Sequence, residues 1–371
     1  MGASMPSAGP ILCVVGARPN YMKMAPLLRA FRACPGLPPA LLVHTGQHYD
    51  PMMNERLFQD LALPRPDVNL EVGSGTHAVQ TAEVMRRFEP LVDEQRPSVV
   101  VVVGDVNSTL ACSLVAAKKG VAVAHVEAGL RSYDRAMPEE INRVLTDQIA
   151  ELLYTTERSA ELNLRREGIA HERIHFAGNV MIDSLLAHRS RAVPPTGLPE
   201  KFGFVTLHRP SNVDHPEALA ESLDILWGVS EIVPLVCALH PRSQANIASF
   251  GLKLESERIA VLPPQGYLET LGLMSAATLV LTDSGGMQEE TTALAVPCLT
   301  LRENTERPIT LEQGTNTLVG RDRRRILELV EEILATGGKR GRTPELWDGR
   351  AAERIAAHLA AWLAARARAH A

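Results

Sequence analysis

Aromatic residues are scarce, 4% of a 371-residue chain, which removes the stacking platforms that single-stranded nucleic acids require. Charge of one sign is not in excess either. Lysine and arginine total 38 against 43 aspartates and glutamates, a net charge of −5, so no broad basic surface is expected and no nucleic-acid partner. No apolar run reaches the roughly 18–20 residues of a membrane span, so no membrane partner is expected. The opening MGASMPSAGP lacks the basic and apolar segments of a secretory signal and reads as a flexible tail over residues 1–9. Cysteines are few (Cys13, Cys34, Cys112, Cys237, Cys298), without a CxxC pair. Most sit in apolar runs, as small buried thiols in a reducing cytoplasm do. There is no HExxH, no paired His/Cys cluster and no carboxylate-rich loop, so no metal is expected. The Walker lysine and GxGxxG signatures are also missing, and no cofactor is expected.

What is present is an alternation of short β-branched runs with helical patterns, the mark of βαβ units and parallel sheets. Strands are expected at Ile11–Gly16, Ala40–Thr45, Ser98–Gly104, Val121–Glu127 and Leu152–Thr155. A second series follows at Phe204–Leu207, Ile232–Leu239, Ile259–Leu262, Thr278–Thr282 and Cys298–Leu301. Helices are expected at Met22–Phe31 and Ser108–Lys119. The run SVVVVVG is apolar without alternation, as in a central strand covered on both faces. Between the two series lies the Pro- and Gly-rich stretch AHRSRAVPPTGLPEKFG, a linker signal. The expected division is an N-terminal domain over 10–185, a linker over 186–200, a C-terminal domain over 201–350 and a final helix over 351–371. That helix carries an apolar stripe of Leu359, Trp362 and Leu363 and is expected to pack back across the domains. Two doubly wound domains put ligands in a crevice at the carboxyl ends of their strands.

The most informative stretch is LVLTDSGGMQEETTALAVPCLTLRENTERP. An apolar strand ends in Asp283-Ser284-Gly285-Gly286 and a helix begins at once. Two glycines there let a phosphate approach free N–H groups and the positive end of the helix dipole. The plain alternative is a strand–turn–helix junction with Ser284 as N-cap in a capping box. Arg302 and Arg307, after the next strand, favour the anion site because they would border the same crevice. The first strand ends likewise in Gly16-Ala17-Arg18, with Lys23 on the next turn; two cations there suit an oxyanion.

Three carboxylates follow strands or open a helix. Asp105 follows the Val-rich run, Glu127 closes HVE, and Glu139 stands in PEEINR. Strand-end acids converge at a crevice mouth, as acid/base work requires. An N-cap role competes for Asp105 and a first-turn role for Glu139; Glu127 has no such alternative. His208-Arg209 and His240-Pro241-Arg242 each follow a strand of the second series, and suit a diphosphate better than a core.

In order along the chain, GARPNYMKMAPL, HTGQH, VVVGDVNSTLA, HVEAGLRS, PEEINR, TLHRPSNVD, LHPRS, TDSGGMQEE and LRENTERP resemble the non-hydrolysing UDP-N-acetylglucosamine 2-epimerases. The resemblance implies two Rossmann-like domains in a glycosyltransferase-B arrangement with an interdomain cleft, usually a homodimer, acting on a UDP-sugar without a redox cofactor. It implies Asp105, Glu127, Glu139 and His208 as the catalytic set. Arg18 and Lys23 are implied near the diphosphate, Ser284, Gly285 and Gly286 on it, Glu290 on the ribose, and Arg302 and Arg307 on the nucleotide side. The implied chemistry interconverts UDP-GlcNAc and UDP-ManNAc by elimination and re-addition of UDP through a 2-acetamidoglucal. Two alternatives stay open: a 2-epimerase of a modified UDP-sugar such as UDP-2,3-diacetamido-2,3-dideoxyglucuronate, and a glycosyltransferase of the same fold. The departures are Pro210-Ser211 after HR, and EVGSGTHAVQ where members activated by their own substrate carry Asp-Arg-Gln.

Overall fold

The computed structural model describes residues 9–46, 57–254 and 256–369. It divides into two units, one formed by residues 1–184 with 345–371 and the other by 185–344.

The first unit holds seven strands: β1 (Ile11–Val15), β2 (Ala40–His44), β3 (Val68–Asn69), β4 (Val99–Val103), β5 (Ala122–Ala128), β6 (Leu152–Thr155) and β7 (Ile174–Phe176). They lie in the order β3-β2-β1-β4-β5-β6-β7, every neighbouring pair parallel. All five valines of β4 are buried, because crossover helices cover both faces of a parallel sheet. Leu12, Val14, Val100, Val102 and Val123 pack with Val84, Phe88 and Cys112 in one core cluster.

The second unit holds β8 (Gly203–Thr206), β9 (Leu235–Cys237), β10 (Ile259–Val261), β11 (Leu279–Thr282), β12 (Cys298–Thr300) and β13 (Asn316–Leu318). Their order is β10-β9-β8-β11-β12-β13, again all parallel. The α/β class with two Rossmann-like parallel sheets is thus the one expected from the alternation.

Local differences have local causes. The first helix runs Arg18–Ala33 and begins before Met22, because Asn20 turns back on the chain. Its Oδ1 accepts from the N–H groups of Gly16 and Ala17 at 3.1 and 3.0 Å, and its Nδ2 donates to the Val103 carbonyl. Ile232 closes the helix Pro216–Ile232 and does not open β9; an apolar run without alternation cannot separate a buried helix end from a strand. Strands β3, β7 and β13 are two or three residues long, too short to show a period.

The final helix, Ala351–Ala369, docks on the first unit. Asp183 accepts from the N–H groups of Ala351 and Ala352 at 3.1 and 2.7 Å, satisfying two orphan donors of its first turn. Leu359 is fully buried, while Trp362 and Leu363 are only partly so. Trp347, buried, donates its indole N–H to the Thr156 carbonyl. No helix among the described residues is long and apolar enough to cross a membrane.

Candidate active site

Each sheet reverses its strand order at one place, between β1 and β4 in the first and between β8 and β11 in the second. Connections leave such a point in opposite directions, so a crevice opens at the carboxyl ends of the strands there. Most residues singled out from the sequence stand at or beside these two points.

In the first unit the end of β1 turns directly into the helix Arg18–Ala33. Arg18 is its first residue and half-buried; Lys23 is buried, its Nζ 2.6 Å from Glu127 Oε2. Glu127 lies within β5 yet has φ of 73°, and the register with β6 shifts between Val126 and Ala128. This is a β-bulge, which re-aims a side chain. A left-handed non-glycine costs about 1–3 kcal/mol and persists only where its surroundings hold it. Gly104 follows β4 with φ of 65°, and a Cβ there would stand 3.0 Å from Lys23 Nζ. Glycine at that place lets the lysine reach Glu127.

Asp105 does not cap the following helix; Val106 is the N-cap residue, without a side-chain bond. The carboxylate of Asp105 instead accepts from Arg143 Nε at 3.2 Å and Nη2 at 2.5 Å. Arg143 also pairs with Glu140. Glu140 is the buried member of the PEE pair, accepting from Ser132 N and Oγ at 2.9 Å and Tyr133 N at 3.0 Å. Glu139 is half-exposed in the first turn of the helix Pro138–Ile149. The fold thereby gives the two adjacent glutamates different work. From HTGQH, Thr45 Oγ1 stands 2.7 Å from Ser108 Oγ, while Gln47 and His48 lie outside the described residues.

In the second unit Ser284 is the N-cap position of the helix Gly285–Leu294 but makes no side-chain cap bond. The capping-box alternative is therefore not what the junction uses. The preceding Asp283 is fully buried and accepts from the backbone N–H of His208 and of Arg209, and from Asn212 Nδ2. His208 Nδ1 lies 2.9 Å from Asp283 Oδ1. Burial raises the carboxyl pKa, but His208 and the backbone donors outweigh it and hold Asp283 below the ordinary value. Asp283 ties the ends of β8 and β11 together and fixes the His208 ring, itself 43% exposed.

The arginine-bearing loop folds onto the same helix. Arg302 Nη2 meets Glu306 Oε2 at 2.7 Å, Arg307 Nε meets Glu289 Oε1 at 3.0 Å, and Thr305 Oγ1 donates to Gln288 Oε1 at 2.6 Å. Glu290 is buried close to Tyr267, whose phenol pKa is pushed well up by burial and by the Glu290 charge. His240 caps the helix Pro241–Ser249, its side chain accepting from Arg242 N at 3.2 Å, and the exposed Arg242 pairs with Asp214. The first contact belongs to a helix start, and the second ties that start to the turn after the short helix Pro210–Val213. Among the described residues no cluster of three or more His, Cys, Asp or Glu could hold a metal ion.

Sequence reading missed Asp283, Arg143 and Asn20 as organisers of these turns. Each carries a weak signal, a polar residue that its neighbours are about to bury and that must therefore find partners.

The geometry can be set beside known proteins. The family model described as UDP-N-acetylglucosamine 2-epimerase matches residues 38–360. A UDP-N-acetylglucosamine 2-epimerase of Methanocaldococcus jannaschii is 42% identical over 92% of this chain and 96% of its own. A UDP-2,3-diacetamido-2,3-dideoxy-D-glucuronate 2-epimerase of Pseudomonas aeruginosa is 41% identical over 94% of this chain and 99% of its own. The crystal structure of the M. jannaschii UDP-GlcNAc 2-epimerase in complex with UDP-GlcNAc and UDP is similar with a TM-score of 0.86. That match has 39% identity and covers 94% of this chain and 99% of that one. With its family match spanning most of the sequence and relatives above 40% identity along nearly full length, this chain belongs to the UDP-N-acetylglucosamine 2-epimerase family.

Proposed function

We propose that the protein interconverts UDP-GlcNAc and UDP-ManNAc without hydrolysis. The observation that carries this reading is Glu127, a buried carboxylate on a bulge at the end of β5, held against a buried lysine. The C2 proton of a hexosamine is not next to a ring carbonyl, so its removal requires early departure of the leaving group. The C1–O bond breaks with its electrons on the diphosphate, a carboxylate takes the C2 proton, and a 2-acetamidoglucal results. UDP then re-adds at C1 while a proton returns to the other face of C2. Positive charge on the ring favours nearby carboxylates, and charge on the diphosphate favours cations and helix amides.

Asp105, Glu127 and Glu139 form the acid/base set, with Lys23 and Arg18 at the reacting end of the diphosphate. His208, oriented by Asp283, and the N–H groups of Ser284, Gly285 and Gly286 take the diphosphate. Glu290 takes the ribose. Arg302 and Arg307, committed to Glu306 and Glu289, shape the nucleotide side, and His240 and Arg242 lie at its margin. No metal or cofactor enters this reading. The five cysteines are free thiols, in keeping with a cytoplasmic enzyme.

The second reading is the same chemistry on UDP-2,3-diacetamido-2,3-dideoxyglucuronate, favoured by the match to the P. aeruginosa protein. Incubation of each UDP-sugar with the enzyme in D2O, followed by proton NMR, separates the two. The expected result is interconversion of UDP-GlcNAc and UDP-ManNAc with loss of the C2 proton signal. Product that retains its C2 proton would overturn the elimination mechanism, and turnover confined to the diacetamido uronate would move the assignment to the second reading.

We propose further that the protein is a homodimer. Tyr133, Ile141, Leu145 and Leu162 are large apolar side chains left 41–70% exposed on the first unit. Their segments are tied together: Tyr133 N donates to Glu140, which precedes Ile141, and Tyr133 OH donates to Asn163, which follows Leu162. A clustered apolar patch of this kind marks an interaction surface.

A further inference from the structure

His125 sits two residues before Glu127 in β5 and is fully buried. Its Nε2 lies 2.7 Å from the Gly104 carbonyl oxygen, and its Nδ1 lies 2.7 Å from Asp147 Oδ1. A carbonyl oxygen only accepts, so Nε2 carries a proton. The carboxylate of Asp147 also receives the Gly129 N–H at 3.0 Å and Arg131 Nη2 at 2.7 Å, both at Oδ2. Two further donors, one of them a guanidinium, hold that carboxylate ionised and accepting. Burial pushes the carboxyl of Asp147 up, but His125 and Arg131 outweigh it and leave it below the ordinary range. Nδ1 therefore has an acceptor before it as well. A neutral imidazole can donate from one nitrogen only, and this ring has to donate from two.

The charges around it close. Asp147 comes from the helix Pro138–Ile149, Arg131 from the turn after β5, and Glu167 from the end of the helix Arg158–Arg166. Arg131 bridges Asp147 and Glu167 at 2.7 and 2.6 Å. Charged groups adjoin it on both strands: Lys23 pairs with Glu127 on β5, and Arg143 pairs with Asp105, the residue after Gly104. An imidazolium and a guanidinium against two carboxylates make a neutral set, buried except at the partly exposed Glu167, the condition under which such charges persist.

Both ends of this set lead to candidate catalytic turns. Gly104 precedes Asp105, and Gly129 follows the bulge at Glu127. We propose that His125 donates from both ring nitrogens and acts as a positioning residue, clamping the turn that carries Asp105 and the bulge that carries Glu127. Its role in turnover rests on the epimerase reading; its charge state does not. The ring is suited because it is rigid and its two N–H groups diverge, one toward the end of the neighbouring strand and one toward the helix behind it. An asparagine in its place keeps a polar group but cannot span both acceptors.

Two measurements test this. In enzyme labelled with 15N-histidine, the long-range proton–nitrogen spectrum should show both His125 nitrogens protonated at neutral pH, the signal being assigned by its loss in His125→Asn. A single protonated nitrogen at neutral pH overturns the proposal. With UDP-GlcNAc as substrate, His125→Asn should lower kcat about 100-fold, the scale of a displaced catalytic group, with KM changed less than about threefold. A folded variant with wild-type kcat overturns it. Should His125→Asn fail to fold, Asp147→Asn is read in its place. The His125 ring should then lose one proton and kcat should fall; an unchanged ring and an unchanged kcat overturn the proposal. Wild-type enzyme inactive on either UDP-sugar would overturn the functional reading alone, leaving the nitrogen spectrum to decide the charge state.

Discussion

Glu127 combines three features that seldom coincide: burial, a left-handed backbone and a cation at 2.6 Å. A residue serving only stability has no need of the bulge, since a glycine would take φ of 73° without strain. Glu127→Gln should therefore leave UDP affinity within about twofold, because the nucleotide is assigned to the second unit. Turnover should fall about 10²–10⁴-fold, the ordinary cost of losing a general acid or base. Steady-state kinetics beside calorimetric titration with UDP checks both halves, and near-native turnover would reduce Glu127 to a structural role. His208 illustrates a different residue-scale device. Its ring is pinned by a buried acid that also holds the two backbone N–H groups of the same turn, so its orientation is set before any ligand arrives.

At the scale of elements, the final helix and the edge strand β7 meet through histidines. The rings of His175 and His358 are 3.8 Å apart, and the Tyr154 hydroxyl lies 3.0 Å from His358 Nδ1, within hydrogen-bond distance. Burial, with the charges of His358 and His171 adding, pushes His175 down to about 4, and burial lowers His358 as well. Both are neutral in the fold, whereas the unfolded chain takes up protons near the ordinary 6.5. The unfolded state thus binds more protons between those values, and stability falls as pH drops from about 6.5 toward 4. Above 6.5 the contribution is complete. His175→Phe keeps a ring in the stack and removes the titration. Thermal unfolding midpoints measured from pH 7.5 to 4.5 should fall less steeply for this variant than for the wild type. Parallel curves would show that the stack does not set the acid response.

At the scale of the whole molecule, several large apolar side chains of the first unit are left exposed, Tyr133, Ile141, Leu145 and Leu162 among them. Ile141 and Leu145 stand one turn apart on the helix Pro138–Ile149, whose polar and charged side chains Glu140, Asn142, Arg143 and Asp147 are the buried ones. That inversion of the usual helix pattern follows from the site, because Arg143, Asn142 and Asp147 face inward to hold Asp105 and His125. Apolar residues are left for the outside, where the proposed second copy would cover them. Leu145→Glu should convert a dimer to a monomer in sedimentation velocity while leaving the circular dichroism spectrum unchanged. A wild-type protein that sediments as a monomer at micromolar concentration would remove the dimer from the proposed function.

The alternation of β-branched runs with helical patterns was sufficient for the class of fold, because hydrophobic period is a property of neighbours in the chain. The strand-end placement of Asp105, Glu127 and the DSGG turn was legible for the same reason: a buried strand has to end, and polar residues mark where it does. The family resemblance rests on such local words. The fold alone decided which of two adjacent glutamates is buried, that Asp283 orients His208, that Lys23 pairs with Glu127, and that His125 stands between Gly104 and Asp147. Those pairings join residues 75, 104 and 22 positions apart. Nothing in the spacing of a sequence encodes them, since they arise only when parallel strands bring distant turns to one edge of a sheet and burial obliges each polar atom there to find a partner.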